Sequence, residues 1–164
     1  MGRYRPPAPK SSPYITRGGY LALQEELKGL WPRRRTVTKA LAAAAAEGDR
    51  SENAEYIYRK KELAGIDRRI RYLQKRLPIL KIVAEPPADR NRVFFGATVT
   101  LEDGNGDTVC YRIVGADEFS SDKGWISMDA PLARALLSKA LHDEVEVQLP
   151  EGKASYCIVA LAYD

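Results

Sequence analysis

Between two long segments with helical apolar patterning, the chain turns through Glu47-Gly48-Asp49-Arg50-Ser51-Glu52-Asn53-Ala54-Glu55-Tyr56. Asp49 and Glu52 place two hard oxygen donors on this turn, the donor type that suits Mg²⁺ when phosphate or a second protein supplies the remaining ligands. Two donors make no complete cage. An ion completed in that way can orient and activate a water for phosphodiester hydrolysis in a two-metal arrangement. Arg50 or Ser51 would then contact phosphate or fix the reacting geometry. A plainer reading uses the same residues. Gly48 supplies the left-handed turn that ends one helix, and Asp49 with Glu52 has the spacing of a capping box opening the next. Acids at a helix N-terminus are favoured by its dipole, so spacing alone leaves both readings open.

Beyond the turn, Lys61, Arg68, Arg71 and Lys75 are separated by 7, 3 and 4 residues and share roughly one side of a helix. Such a stripe would guide a phosphate backbone toward the turn, with an affinity that weakens in salt. Solubility and intrahelical pairing with Glu55, Glu62 and Asp67 is the alternative. Lys60, Arg69 and Arg76 lie off the stripe and read as plain surface.

Two helices are needed to present these groups. From Thr16, an expected N-cap, apolar or small residues recur at Tyr20, Leu23, Leu27, Leu30, Val37, Leu41 and Ala44. A second seam runs Tyr56, Leu63, Ile66, Ile70, Leu73, Leu77 and Leu80. Steps of three and four mark heptad seams. In an antiparallel hairpin, facing positions have a constant total. Ala44 with Tyr56, Val37 with Leu63, Leu30 with Ile70, Leu27 with Leu73, Leu23 with Leu77 and Tyr20 with Leu80 all total 100, which sets the fold-back at residue 50. The layers Arg34 with Ile66 and Leu41 with Arg59 each carry an Arg, whose stem can cover the seam while its head reaches water. Arms of about 30 residues predict a rod of about 45 Å. Pro32 is expected to kink the first helix, and Pro78 to end or bend the second near its base.

The rest of the chain reads differently. Residues 1–13 hold four Pro and no periodic pattern, as a disordered tail does, and 85–92 form a linker containing Pro86 and Pro87. Val93, Phe95, Ala97, Val99 and Leu101 alternate, Asp103-Gly104-Asn105-Gly106 turns, and Val109, Tyr111 and Ile113 alternate again, which predicts a β-hairpin. Asp129 reads as the N-cap, with Pro131 just inside, of a short helix to about Leu141. Strands are predicted over 144–149 and 154–163, around Pro150-Glu151-Gly152. The class is therefore α+β: a coiled-coil hairpin over 14–84 with its tip at 48–56, then a small antiparallel sheet with one helix over 93–164.

Composition narrows the function. The 164 residues carry +4 at pH 7, but 1–13 carry +3, 14–84 carry +8 and 85–164 carry −7. A polyanion is the natural partner of the basic middle. The longest apolar run, Ala40 to Ala46, is far short of the roughly 20 residues that span a bilayer, so no membrane partner is expected. Pro stands where a signal peptide needs an apolar core. The cysteines, Cys110 and Cys157, form neither a disulfide framework nor a zinc site, and the expected compartment is the reducing cytoplasm.

Gly48-Asp49-Arg50-Ser51-Glu52-Asn53-Ala54-Glu55-Tyr56 closely resembles the tip motif of the Gre transcript cleavage factors of bacterial RNA polymerase. The likeness extends through Thr16-Arg17-Gly18-Gly19-Tyr20, Ile66-Asp67-Arg68-Arg69-Ile70-Arg71-Tyr72-Leu73, Val93-Phe94-Phe95-Gly96-Ala97, Tyr111-Arg112-Ile113-Val114-Gly115 and Pro131-Leu132-Ala133-Arg134-Ala135-Leu136-Leu137. Arg50, the basic stretch Arg68 to Arg76 and Phe94-Phe95 look more like the GreB branch than the GreA branch.

The resemblance implies a coiled coil that enters the secondary channel of a backtracked polymerase, and an FKBP-like C-terminal domain that docks on the channel rim. It implies that Asp49 and Glu52 stabilise a Mg²⁺ shared with the polymerase, so that the polymerase's own site cuts the extruded RNA, with Ser51 and Arg50 supporting. It assigns Lys61, Arg68, Arg71 and Lys75 to the RNA 3′ segment, and Asp129 and Pro131 to the rim. The implied molecule is a monomeric cofactor protein, not an enzyme by itself, that holds no metal stably alone. Against the family pattern, Ala130 replaces a usual Ser, His142-Asp143 replaces a usual Gly-Asp turn, and Pro32 and Pro78 are additions to the arms. Three other functions fit parts of the pattern: a channel-binding regulator without cleavage stimulation, an FKBP-like isomerase or chaperone, and a coiled-coil nucleic-acid binder.

Overall fold

A computed structural model describes residues 10–48 and 53–164. The chain divides into two compact units, one comprising Tyr20–Leu80 and the other the N-terminal residues to Gly19 together with Lys81–Asp164.

The first unit is the helical hairpin. Helix α1 runs Arg17–Ala45 and α2 runs Ala54–Arg76. Every seventh residue of α1, Leu23, Leu30, Val37 and Ala44, is buried, and on α2 Ile66, Ile70 and Leu73 are buried. Tyr20, Leu27, Leu41, Tyr56 and Leu63 are half-buried at the seam's margins. Ion pairs between the helices join positions 26 and 69, 33 and 62, and 34 and 67, as an antiparallel pair folding back near residue 50 requires. Helix α1 continues through Pro32, at the cost of the hydrogen bond that the Lys28 carbonyl would have received. Helix α2 stops at Arg76 and passes into a 3₁₀ turn, Leu77–Ile79, that contains Pro78. Among the described residues no helix is long and apolar enough to cross a membrane.

The second unit is a five-stranded sheet in the order β5-β4-β3-β7-β6 with one helix. Two-residue strands β1 (Tyr14–Ile15) and β2 (Lys81–Ile82) pair in parallel beside it. Strands β3 (Thr98–Glu102) and β4 (Thr108–Val114) form the expected hairpin. Its turn is closed by Asp103, whose Oδ1 accepts from the backbone of Asn105 and Asp107 at 2.9 and 3.0 Å, while Gly106 takes φ +83°. Strand β5 (Trp125–Ser127) pairs parallel to β4, a strand the alternation did not announce. Helix α3 (Pro131–Leu136) is followed by β6 (Glu144–Leu149) and β7 (Gly152–Ala162). Strand β7 lies antiparallel to both β6 and β3, with a register shift at Thr100/Leu101. The core gathers Val93, Ala97, Val99, Leu101, Ile113, Ala133, Leu136, Val145 and Ile158.

Three expectations need correction. The alternation from Val93 does not make a strand before Thr98, because Gly96 turns the chain at φ +87° and its N–H donates to Ile113 O at 2.8 Å. Helix α3 ends at Leu136 rather than near Leu141. Ser138 adopts φ +71° and donates its N–H to Val93 O, while Lys139 O accepts from Val93 N, so this backbone pairs laterally instead of coiling on. Residues 10–13 are tied in at the end of the expected tail, where Pro13 O accepts from Lys81 N at 2.7 Å and Ser12 bonds Asp129.

The C-terminal strand is pinned by Tyr163, whose hydroxyl accepts from Phe94 N at 2.8 Å and donates to Arg92 O. Burial holds this phenol above its ordinary value, opposed by the Phe94 N–H and reinforced by Asp89. A group whose folded pKa is raised contributes fully below its unfolded pKa. The Tyr163 contribution is therefore present at neutral pH and lost as pH rises above about 10. Tyr163→Phe is expected to cost about 1–2 kcal/mol in denaturant unfolding at pH 7, with the difference from the intact protein shrinking in strongly alkaline solution.

Candidate functional site

Helix α1 closes with Ala46 N donating to Ala42 O and Glu47 N to Ala44 O, and Gly48 then takes φ +118°, the left-handed conformation expected of it. Asp49, Arg50, Ser51 and Glu52 lie outside the described residues. The start of α2 is described, and it corrects the capping-box reading. Its N-cap is Asn53, at φ −83° and ψ 100°, whose Oδ1 accepts from Tyr56 N at 3.1 Å. The same side chain reaches across the hairpin, its Nδ2 donating to Ala44 O at 2.8 Å. A capping box on Asp49 and Glu52 would have opened the helix four residues earlier. Asn53→Ala removes both bonds, and a stability loss of about 1–2 kcal/mol is expected in thermal unfolding.

Lys61, Arg68, Arg71 and Lys75 are all exposed. The acids that would neutralise them are engaged elsewhere. Glu55 and Glu62 hold Arg59 at 2.8 and 3.0 Å, Asp67 holds Arg34 at 2.6 Å, and Glu62 also meets Arg33 at 3.5 Å. These contacts push the Arg34 and Arg59 guanidiniums above their ordinary range, through the Asp67 hydrogen bond for Arg34 and the Glu55 then Glu62 bonds for Arg59. The stripe thus keeps its positive charge uncompensated by ion pairs among the described residues. Two of the residues read as plain surface are not. Arg76 is buried, and Arg69 pairs with Glu26 at 2.8 Å and lies over the Tyr72 ring.

In the second unit, Pro131 is exposed and opens α3, but the cap position is Ala130, which makes no side-chain cap. Asp129 stands one residue too early to cap. Its carboxylate accepts instead from Ser12, Oδ2 from the backbone N at 2.8 Å and Oδ1 from the hydroxyl.

A residue that sequence reasoning passed over organises this unit. Glu118 is buried in the β4–β5 connection. Its Oε2 accepts from Gly115 N at 2.8 Å and Thr16 N at 3.1 Å, and its Oε1 from the Thr16 hydroxyl. Thr16 Oγ1 in turn accepts from Gly19 N at 3.0 Å, the expected N-cap of α1. A Cβ at Gly19 would lie 2.0 Å from Glu118 Oε1, and one at Gly115 would lie 2.2 Å from Tyr14 O. The two glycines in otherwise structured stretches were the available signal. Among the described residues there is no group of three or more His, Cys, Asp or Glu that could hold a metal ion.

A helical hairpin with an exposed basic stripe on its second helix, together with a separate five-stranded sheet unit, defines a two-unit α+β protein. Comparison with known proteins agrees with that class. Residues 13–82 match the family described as "Transcription elongation factor, N-terminal", and residues 87–163 match "Transcription elongation factor, GreA/GreB, C-term". A protein of Xanthomonas axonopodis pv. citri named "Transcription elongation factor GreB" is 58% identical, covering 99% of this chain and 98% of the relative. One of the same name from Pseudomonas aeruginosa is 54% identical over 99% of this chain and 98% of its own length. A solved structure, that of "GreA factor homolog 1 (Gfh1) protein of Thermus thermophilus", is 27% identical with a TM-score of 0.41, covering 91% of this chain and 97% of that one. The chain belongs to the GreA/GreB family of transcription elongation factors and, by its named relatives, to the GreB branch.

Proposed function

We propose that this elongation factor inserts its hairpin into the secondary channel of a backtracked bacterial RNA polymerase and stimulates the polymerase's own cleavage of the RNA 3′ end. It is not an enzyme alone, and it acts in the cytoplasm, as a monomer. Support comes from the start of α2. With Asn53 as the helix cap, the capping box that would account for Asp49 and Glu52 is not what opens α2.

Two carboxylates are hard oxygen donors that fit Mg²⁺, and they leave most of its octahedral shell to the polymerase and to RNA phosphate. Asp49 and Glu52 would be the residues that hold it from this side. When bound there, the ion supplies an activated water for attack on the phosphodiester. Arg50 and Ser51, flanked by the acids, would contact the phosphate and fix its position. Lys61, Arg68, Arg71 and Lys75 would hold the extruded RNA through its phosphates. Asp129 and Pro131 would meet the channel rim, with the Asp129 carboxylate held in place by Ser12.

The test is RNA cleavage in purified, deliberately backtracked polymerase complexes. Release of 3′ fragments above the polymerase's own background upholds the proposal. Binding without added cleavage overturns it in favour of a regulator that only occupies the channel.

A further inference from the structure

On α2, positions 58, 61, 65, 68, 72 and 75 succeed one another in steps of three and four and so form one row. At 100° per residue this row lies about 140° from the Ile66, Ile70 and Leu73 seam. The row reads Tyr58, Lys61, Gly65, Arg68, Tyr72, Lys75. Three cations alternate with two tyrosines, and those tyrosines are 61% and 41% exposed, although a helix surface gains nothing by showing a large ring to water.

Each tyrosine is built in the same way. The Arg59 guanidinium carbon lies 5.5 Å from the Tyr58 ring centroid, and that Arg is clamped by Glu55 and Glu62. The Arg69 guanidinium carbon lies 5.3 Å from the Tyr72 centroid, and that Arg is clamped by Glu26 across the hairpin. Both arginines sit on the same flank of the row. A guanidinium fixed by carboxylates and laid on a ring limits the rotamers that the ring samples, which lowers the entropy lost when something stacks on it. The tyrosines are fourteen residues apart, about 21 Å along the helix axis.

We infer that Tyr58 and Tyr72 are stacking platforms for unpaired bases of single-stranded RNA, set between cations that hold its phosphates. This rests on the function proposed above and names how the extruded strand is held. Exposed aromatics interleaved with cations are the common means of gripping a single strand without reading its sequence, because every base offers a π face. Phosphate contacts alone would fade with salt, whereas stacking persists. The effect grows with the length of extruded RNA, since only a strand long enough to pass Tyr58 and reach Tyr72 engages both rings.

The test uses the full-length protein on polymerase complexes whose extruded RNA carries 2-aminopurine, a base that loses fluorescence on stacking. Complexes backtracked by few and by many nucleotides are compared. Tyr58→Leu and Tyr72→Leu are each expected to remove most of the quenching and to slow cleavage of long-extruded complexes about tenfold. Cleavage of the shortest complexes should change by less than about twofold. Tyr58→Phe and Tyr72→Phe should behave as the intact protein does. Leu variants that quench and cleave as the intact protein overturn the inference and leave the proposed function standing. Phe variants that fail like the Leu variants overturn it as well, because a ring without its hydroxyl still stacks. An intact protein that stimulates no cleavage in any complex overturns the proposed function and this inference together.

Discussion

Replacing Asp49 or Glu52 with Ala is expected to lower stimulated RNA cleavage by about a hundredfold or more, since groups that merely support a metal ligand are already worth about 10- to 100-fold. The variants should still compete for the polymerase channel. The structure separates this outcome from trivial unfolding. Helix α2 takes its cap from Asn53, which also ties Ala44 O across the fold-back, so the helix start does not rest on a capping box between the two acids. Asp49→Ala and Glu52→Ala should therefore unfold within about 0.5 kcal/mol of the intact protein. Asn53→Ala should show the reverse pattern, with a measurable loss of stability and a smaller loss of cleavage. Asp49→Asn tests the charge separately. It keeps the side chain's size but weakens a hard anionic donor, and raised Mg²⁺ should restore part of the activity if the loss lies in metal affinity. Equal losses of stability and cleavage in the three alanine variants would mean that the acids only hold the turn together.

What the sequence made legible is what its neighbours in the chain determine. The seam of α1 could be read because the heptad repeat is local, and Leu23, Leu30, Val37 and Ala44 duly line it. The β3–β4 turn could be read because Asp103 closes it with its own next residues. The errors fall where a distant partner decides. Asp129 has the composition of a helix cap, yet its carboxylate is taken by Ser12, 117 residues away. The strand expected from Val93 is cut short because Gly96 bonds to β4, and the helix expected to reach Leu141 gives way to pairing with Val93. Strand β5, only three residues long, is held by its parallel pairing with β4. His142, noted in place of a usual glycine, adopts φ +73°, the left-handed region that glycine enters most readily. At the site itself the basic stripe was legible from spacing. The exposed tyrosines within it were not, because Tyr58 and Tyr72 gain meaning only from Arg59 and Arg69 and from the acids that clamp them.

Glu118→Ala is expected to be the most destabilising single change in the second unit, at about 3 kcal/mol or more. The carboxylate serves three donors at once, Gly115 N, Thr16 N and the Thr16 hydroxyl, and truncation leaves all three short of a partner in a buried place. Ile15, which is fully buried beside Thr16, and the parallel β1–β2 pair depend on the same anchoring. A second route to the same node distinguishes this account from a general loss of packing. Gly19→Ala puts a Cβ 2.0 Å from Glu118 Oε1, which must displace the carboxylate although Ala suits a helix better than Gly. At Gly18 nothing lies within 4 Å of the added carbon, so Gly18→Ala should stabilise by up to about 1 kcal/mol through helix propensity alone. The decisive variant is the double change. With Glu118 already reduced to Ala, the atom that Gly19→Ala would strike is gone, and adding Gly19→Ala should cost nothing further or recover a little. Denaturant unfolding of the two single variants and the double should therefore give strong non-additivity. Simple additivity would show that Gly19 is required by something other than the Glu118 carboxylate.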